Sequence, residues 1–138
     1  MSPEKTTEVY IDGASRGNPG KSGIGVLVIR PDGTREEIRE YIGSGTNNEA
    51  EYKALIKALG YLVAKDSSKV KIHTDSQLVA SQMNGLWKVK DSKLRILHSE
   101  AKKLASSLPA LEIEYIPREN NAEADSLANQ AIDRYFND

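Results

Sequence analysis

The chain has 138 residues, 38% hydrophobic and 28% charged, which excludes a disordered protein and fits one globular domain, 1–138, around one core. A net charge of −1 argues against a protein that grips nucleic acid by bulk positive charge, but not against an enzyme whose acidic site is recharged by metal. There is no cysteine, no apolar run of membrane length and only a short polar start at Met1 to Lys5, so the expected setting is cytoplasmic, without disulfides or thiolate metal sites.

Thr7 to Gly13 reads as a strand with Val9 and Ile11 on one face. Gly17-Asn18-Pro19-Gly20 is a turn signal, and Ile24 to Arg30 is a second, largely apolar strand. Pro31-Asp32-Gly33 turns the chain again, and Arg35 to Ile42 returns as a more polar strand at the sheet edge. Thr46 or Asn48 could cap the next helix, whose apolar stripe is Leu55, Ala58, Leu59 and Leu62. Val70 to Thr74 predicts a short strand and Gln77 to Met83 a short helix closed by Asn84-Gly85. A longer helix is expected from Ser92 to Ser106, with Leu94, Leu97, Ala101, Leu104 and Ala105 inside. Leu111 to Ile116 is the final strand, stopped by Pro117. The last helix begins near Asn121 and is expected to bury Ala124, Leu127, Ala128, Ala131, Ile132 and Tyr135. A hairpin followed by alternating strands and helices predicts an α/β domain with a mixed sheet, whose ligands gather at the carboxyl ends of the strands.

Several acids sit where patterning alone would not put them. Asp12 and Asp75 are expected to close the first and fourth strands. Glu51 lies four residues before Leu55 and seven before Ala58, so it shares the buried stripe of its helix, where an isolated carboxylate is costly. Asp125 falls in the first turn of the last helix. Singly, each has an ordinary explanation: strand-end turns for Asp12 and Asp75, the acid of a capping box begun by Asn48 for Glu51, a helix-start acid for Asp125. Together they need a shared one. Oxygen ligands without cysteine or histidine suit Mg²⁺, with Mn²⁺ as a substitute, and a pair of such ions about 4 Å apart can clamp a phosphodiester.

Four segments resemble the motifs of type 1 ribonuclease H. They are Asp12-Gly13-Ala14-Ser15-Arg16-Gly17-Asn18-Pro19-Gly20, Thr46-Asn47-Asn48-Glu49-Ala50-Glu51, Thr74-Asp75-Ser76-Gln77 and Asn121-Ala122-Glu123-Ala124-Asp125-Ser126-Leu127-Ala128. They stand in the family's order and at its spacing. The resemblance implies a ribonuclease H-like fold, a five-stranded mixed sheet flanked by helices. It implies two metal ions held by Asp12, Glu51, Asp75 and Asp125, and cleavage of the RNA strand of an RNA/DNA hybrid to 3′-hydroxyl and 5′-phosphate ends. It also implies that Gly13, Asn18, Asn47 and Gln77, with the Glu51 carboxylate, sense the RNA strand, and that Thr46 helps to hold a DNA phosphate. The ordinary readings are a turn residue for Asn18 and a helix cap for Asn47.

The chain departs from the family in three places. Ser44 stands where an arginine often accompanies Thr46. The basic protrusion is reduced to Asn84-Gly85-Leu86-Trp87-Lys88-Val89-Lys90, where Trp87 could pack against a sugar or simply belong to the core. A short Ile116 to Asn121 segment replaces a mobile histidine loop, and its Arg118 could contact the scissile phosphate or assist product release, or simply pair with Glu119 or Glu123. His73 and His98 have no partner at metal-ligand spacing and are assigned no role. The expected partner is an RNA/DNA hybrid, with the chain acting as a monomer away from membranes. A non-catalytic binding protein of the same fold, or a nuclease for double-stranded RNA, are the competing readings.

Overall fold

The computed structural model describes residues 5–137, with side chains through Phe136; residues 1–4, most of the polar start, and residue 138 lie outside this range. Alternating apolar and polar residues build strand β1 (Thr7–Arg16), which turns through residues 17–19 into β2 (Gly20–Ile29) and again into β3 (Arg35–Gly45). There follow α1 (Asn47–Ala64), β4 (Lys69–Thr74), α2 (Gln77–Met83), α3 (Ser92–Ala105) and β5 (Ala110–Tyr115). A single 3-10 turn (Arg118–Asn120) leads into α4 (Ala122–Asn137). The sheet order is β3-β2-β1-β4-β5, antiparallel among the first three and parallel from β1 to β4 and β5. This is the expected five-stranded mixed sheet: tight turns join the antiparallel strands, and helical crossovers join the parallel ones.

Local sequence explains where α1 begins. The Thr46 hydroxyl accepts the Glu49 N–H at 3.1 Å, and Glu49 Oε1 accepts the Thr46 N–H at 2.9 Å. This capping box satisfies two otherwise orphaned donors. Its acid is Glu49, so the capping explanation for Glu51 does not hold.

The main core lies between the sheet and α1. Val9, Ile11, Val26 and Ile72 pack with Tyr52, Leu55, Leu59 and Leu62, all fully buried. Each such leucine contributes roughly 1.5–3 kcal/mol of transfer free energy. α4 covers the other face of the hairpin strands and buries Ala124, Leu127, Ala128, Ala131 and Ile132. Gly25 of β2 permits that approach, since a Cβ there would lie 2.3 Å from the Ala124 carbonyl oxygen. Both faces of β2 are therefore covered, which is why its sequence is apolar rather than alternating.

Two expectations are corrected. β1 does not stop at Gly13 but continues in register with β2 to the pair Arg16↔Lys21, so Asp12 lies within the strand, opposite Gly25. The hairpin partner extends the ladder past the point at which the alternation of apolar residues ends. Tyr135 is not buried: it is 62% exposed and stacks on Tyr41 at 4.0 Å, because the last turn of α4 runs to the margin of the sheet. Among the described residues no helix is long and apolar enough to cross a membrane.

Candidate active site

The site forms where the sheet splays. β1 and β4 are paired in parallel up to Ile11↔Thr74. β4 then ends, while β1 continues with β2. The next residue on each strand is an acid, Asp12 on one side of the opening and Asp75 on the other. α1 brings Glu51 to the same place through an unusually close contact. A Cβ on Gly13 would sit 2.2 Å from the Ala50 carbonyl carbon, so only glycine fits, and the Gly13 N–H donates to Glu51 Oε1 at 2.7 Å. One oxygen from each of Asp12, Glu51 and Asp75 lies within 4.8 Å of the others. Asp125, in the first turn of α4, lines the same crevice of about 350 Å³.

The electrostatics are those of an acid cluster held together against its own repulsion. Burial pushes the Asp12 carboxyl up to about 10, reinforced by the charges of Glu51 and Asp75 and by the hydrogen bond and charge of Asp125. Burial and the charge of Asp75 push Glu51 up to about 8, while the Gly13 N–H opposes the rise by favouring the carboxylate. Among the described residues no lysine or arginine forms a salt bridge with these four acids. The donor set is all oxygen, crowded and uncompensated. It fits hard divalent cations of the Mg²⁺ or Mn²⁺ type, which neutralise the repulsion and take carboxylate ligands.

The other sequence candidates fall into two groups. Gly13, Asn47 and Arg118 line the acid crevice. Arg118 is exposed and has no ion-pair partner among the described residues; Glu123, one of its suggested partners, bonds Arg35 instead. Asn18 and Thr46 line a neighbouring hollow of about 410 Å³ with Asn48, Asp91 and Lys93. Asn18 Oδ1 accepts the Asn47 backbone N–H at 3.1 Å, which fastens the β1–β2 turn to the start of α1. Gln77 is exposed at the start of α2 and is not among the residues lining either hollow. Trp87 is 47% exposed, which removes the reading that it belongs to the core. The histidines stay outside the site. His73 is buried, bonds Glu8 at 2.6 Å and stacks on Tyr10, and His98 packs edge-on to Tyr52.

Three residues at the site carried no role in the sequence reading. Arg16 bonds Asp133 at 2.7 Å and Asn129 Oδ1 at 3.3 Å, while Asn129 Nδ2 reaches Asp125 Oδ1 at 3.3 Å. The four-residue step from Asp125 to Asn129 was the available signal, since it places both on one helix face. Asn121, buried at 1% exposure, is the third; a polar residue just before a helix usually signals only a cap.

A family model described as reverse transcriptase-like matches residues 10–131. Ribonuclease HI of Halobacterium salinarum is 42% identical over 125 residues, 90% of this chain and 63% of that protein. The chain belongs to the reverse transcriptase-like, ribonuclease H-fold family. The crystal structure of RNase H1 from the halophilic archaeon Halobacterium salinarum superimposes with a TM-score of 0.89 at 39% identity, covering 94% of this chain and 98% of that one. LC11-RNase H1, in a complex with an RNA/DNA hybrid, gives a TM-score of 0.87 at 40% identity over 94% and 98% of the two chains. The bifunctional protein Rv2228c of Mycobacterium tuberculosis is 43% identical over 127 residues, 91% of this chain. This ribonuclease H-fold chain spans 35% of that mycobacterial relative and 63% of the Halobacterium one.

Proposed function

We propose that the chain is an endonuclease that hydrolyses the RNA strand of RNA/DNA hybrids, leaving 3′-hydroxyl and 5′-phosphate ends, as a monomer. The observation that carries the reading is the meeting of Asp12, Glu51 and Asp75 within 4.8 Å, with Asp125 on the same crevice. Its support from relatives is their description as ribonucleases H and the presence of one, LC11-RNase H1, on an RNA/DNA hybrid.

Asp12, Glu51, Asp75 and Asp125 would hold a pair of Mg²⁺ ions. When bound, the ions supply Lewis-acid stabilisation of charge at the scissile phosphate and a nucleophile at neutral pH. The chain's own part is to position and to select. The Gly13 N–H holds one oxygen of Glu51 and so fixes the carboxylate beside Asp12 and Asp75. Asn47 and Asn18, joined at the mouth of α1, and Gln77 offer amides that both donate and accept, which matches a ribose 2′-hydroxyl. Thr46 and Lys93 lie on the adjoining hollow, where a phosphate of the DNA strand would rest. Arg118 carries a fixed positive charge to the crevice and serves the substrate or product phosphate; it does not exchange protons near neutral pH.

The test is incubation with Mg²⁺ and end-labelled hybrid, RNA duplex and DNA duplex in parallel. Cleavage of the RNA strand of the hybrid alone, blocked by chelator and restored by metal, is expected. Absence of hybrid cleavage at high enzyme concentration would end the nuclease reading, and faster cleavage of RNA duplex would reassign the substrate.

A further inference from the structure

Asn121 stands buried beside the acid cluster, where β1 and β4 part. Its amide Nδ2 donates to the Ile11 carbonyl at 2.8 Å and lies 3.3 Å from Asp75 Oδ2. Its own carbonyl accepts the Asp125 N–H at 3.1 Å and so opens α4, while its N–H closes the 3-10 turn on the Arg118 carbonyl at 3.0 Å. One buried residue thus touches the peptide next to Asp12, the carboxylate of Asp75 and the backbone of Asp125.

The reason for its place lies in the sheet. Ile11 and Thr74 are the last parallel pair between β1 and β4. Beyond them the strands separate, and the Thr74 carbonyl is taken by the Ile116 N–H at 2.8 Å. The Ile11 carbonyl is a buried acceptor at the splay, and leaving it unpaired would carry the full desolvation cost. Asn121 meets it, and the same amide faces Asp75 with its second proton. A single side-chain amide thus bridges the opening, from the peptide before Asp12 to the carboxylate of Asp75. Among the described residues, Asn121 Oδ1 is buried without a hydrogen-bond partner. The side chain pays that cost in place of the alternative rotamer, which would turn the acceptor toward the Ile11 carbonyl and Asp75.

We propose that Asn121 is a positioning residue for the metal-binding acids: it sets the distance between Asp12 and Asp75 and fixes the start of α4 so that Asp125 completes the set. The proposal rests on the nuclease reading only for its kinetic arm. Its other arm, Mn²⁺ binding to the substrate-free protein, stands without it. Groups that orient metal ligands typically change affinity by about 10–100-fold when removed.

The experiment compares wild type with Asn121→Ala and Asn121→Ser. Mn²⁺ affinity is read by calorimetry without nucleic acid, kcat and KM on an RNA/DNA hybrid, and folding by circular dichroism and Tm. The expected result is a folded variant with Mn²⁺ affinity weakened about 10-fold or more, kcat lowered by a similar factor and KM within about twofold of wild type. Mn²⁺ affinity and kcat within twofold of wild type in a folded variant overturn the proposal, as does a rise in KM with kcat intact. If Asn121→Ala does not fold, Asn121→Ser, which keeps a short polar group, is read in the same way. If both only unfold, Asn121 is a residue of the fold and not of the site, and the proposal is wrong. A wild-type protein that binds Mn²⁺ but leaves the hybrid uncut would refute the nuclease reading while leaving this one to the calorimeter.

Discussion

Gly13 donates its backbone N–H to Oε1 of Glu51 at 2.7 Å, a bond between residues 38 positions apart that fixes α1 against β1 at the point where the acids meet. The bond exists because no side chain separates the two backbones: an added Cβ would lie 2.2 Å from Ala50. Gly13→Ala should therefore force α1 away. A loss of about 1–3 kcal/mol in urea unfolding is expected, the range of overpacked core positions, together with a large loss of hybrid cleavage. Unchanged stability would show that α1 can yield at this contact without cost.

The acid cluster makes the metal-free protein sensitive to pH in a fixed direction. In the unfolded chain Asp12 ionises near 3.8 and in the fold at about 10; Glu51 moves from 4.5 to about 8. Between the lower and upper values the folded state holds protons that the unfolded state releases, so the stability these groups contribute is complete below the lower values and is lost as pH rises toward the upper ones. In chelator, Tm should fall between about pH 5 and pH 9 and Mg²⁺ should recover it most at the alkaline end, since ions bind the charged carboxylates. A metal-free Tm that rises over this range would contradict the assignment of these acids to a mutually repelling, buried set.

Arg118 is exposed at the mouth of the crevice and makes no ion pair among the described residues, so its removal should spare the fold. Arg118→Ala is expected to leave Tm within about 1 °C and to lower kcat about 10-fold or more, as loss of a cation facing a phosphate would. Arg118→Lys should recover only part of this, because an ammonium cannot reproduce the planar fork. Wild-type kinetics for Arg118→Ala would return it to the surface.

Thr46 accepts one hydrogen bond of the capping box and holds the backbone through which the other is made. Thr46→Ala should cost about 1 kcal/mol and lower Tm by about 2–5 °C. If Thr46 also serves a DNA phosphate, KM for the hybrid rises beyond what the stability loss explains; an unchanged KM would limit it to the cap.

Much of this is legible in the amino-acid sequence itself. The order of the strands and helices followed from periodicity; Glu51 stood out on an apolar helix stripe and Asp12 and Asp75 at strand ends, while Asp125 joined them as a metal-binding set through the resemblance of the four motifs. The end of β1 was not legible, because its continuation to Arg16 depends on pairing with β2 rather than on its own pattern. Tyr135 was misplaced because helical spacing gives a face but not the extent of the sheet beneath it. Asn121 was invisible as anything but a helix-start residue, since its partners Ile11 and Asp75 lie 110 and 46 positions away. The requirement for glycine at Gly13 and Gly25 is likewise a property of a helix backbone that arrives from elsewhere in the chain.

The central claim is that the carboxylates of Asp12, Glu51, Asp75 and Asp125 act as one ligand set for the cleavage of RNA. Its most direct measurement is the single-turnover rate of Asp12→Asn on a labelled RNA/DNA hybrid in Mg²⁺, beside wild type. The amide keeps the shape of the side chain but loses the charge that binds metal, so a rate lower by about 10³-fold or more is predicted, with the circular dichroism spectrum unchanged and the metal-free Tm at pH 8 raised. Turnover within a few-fold of wild type would contradict the account.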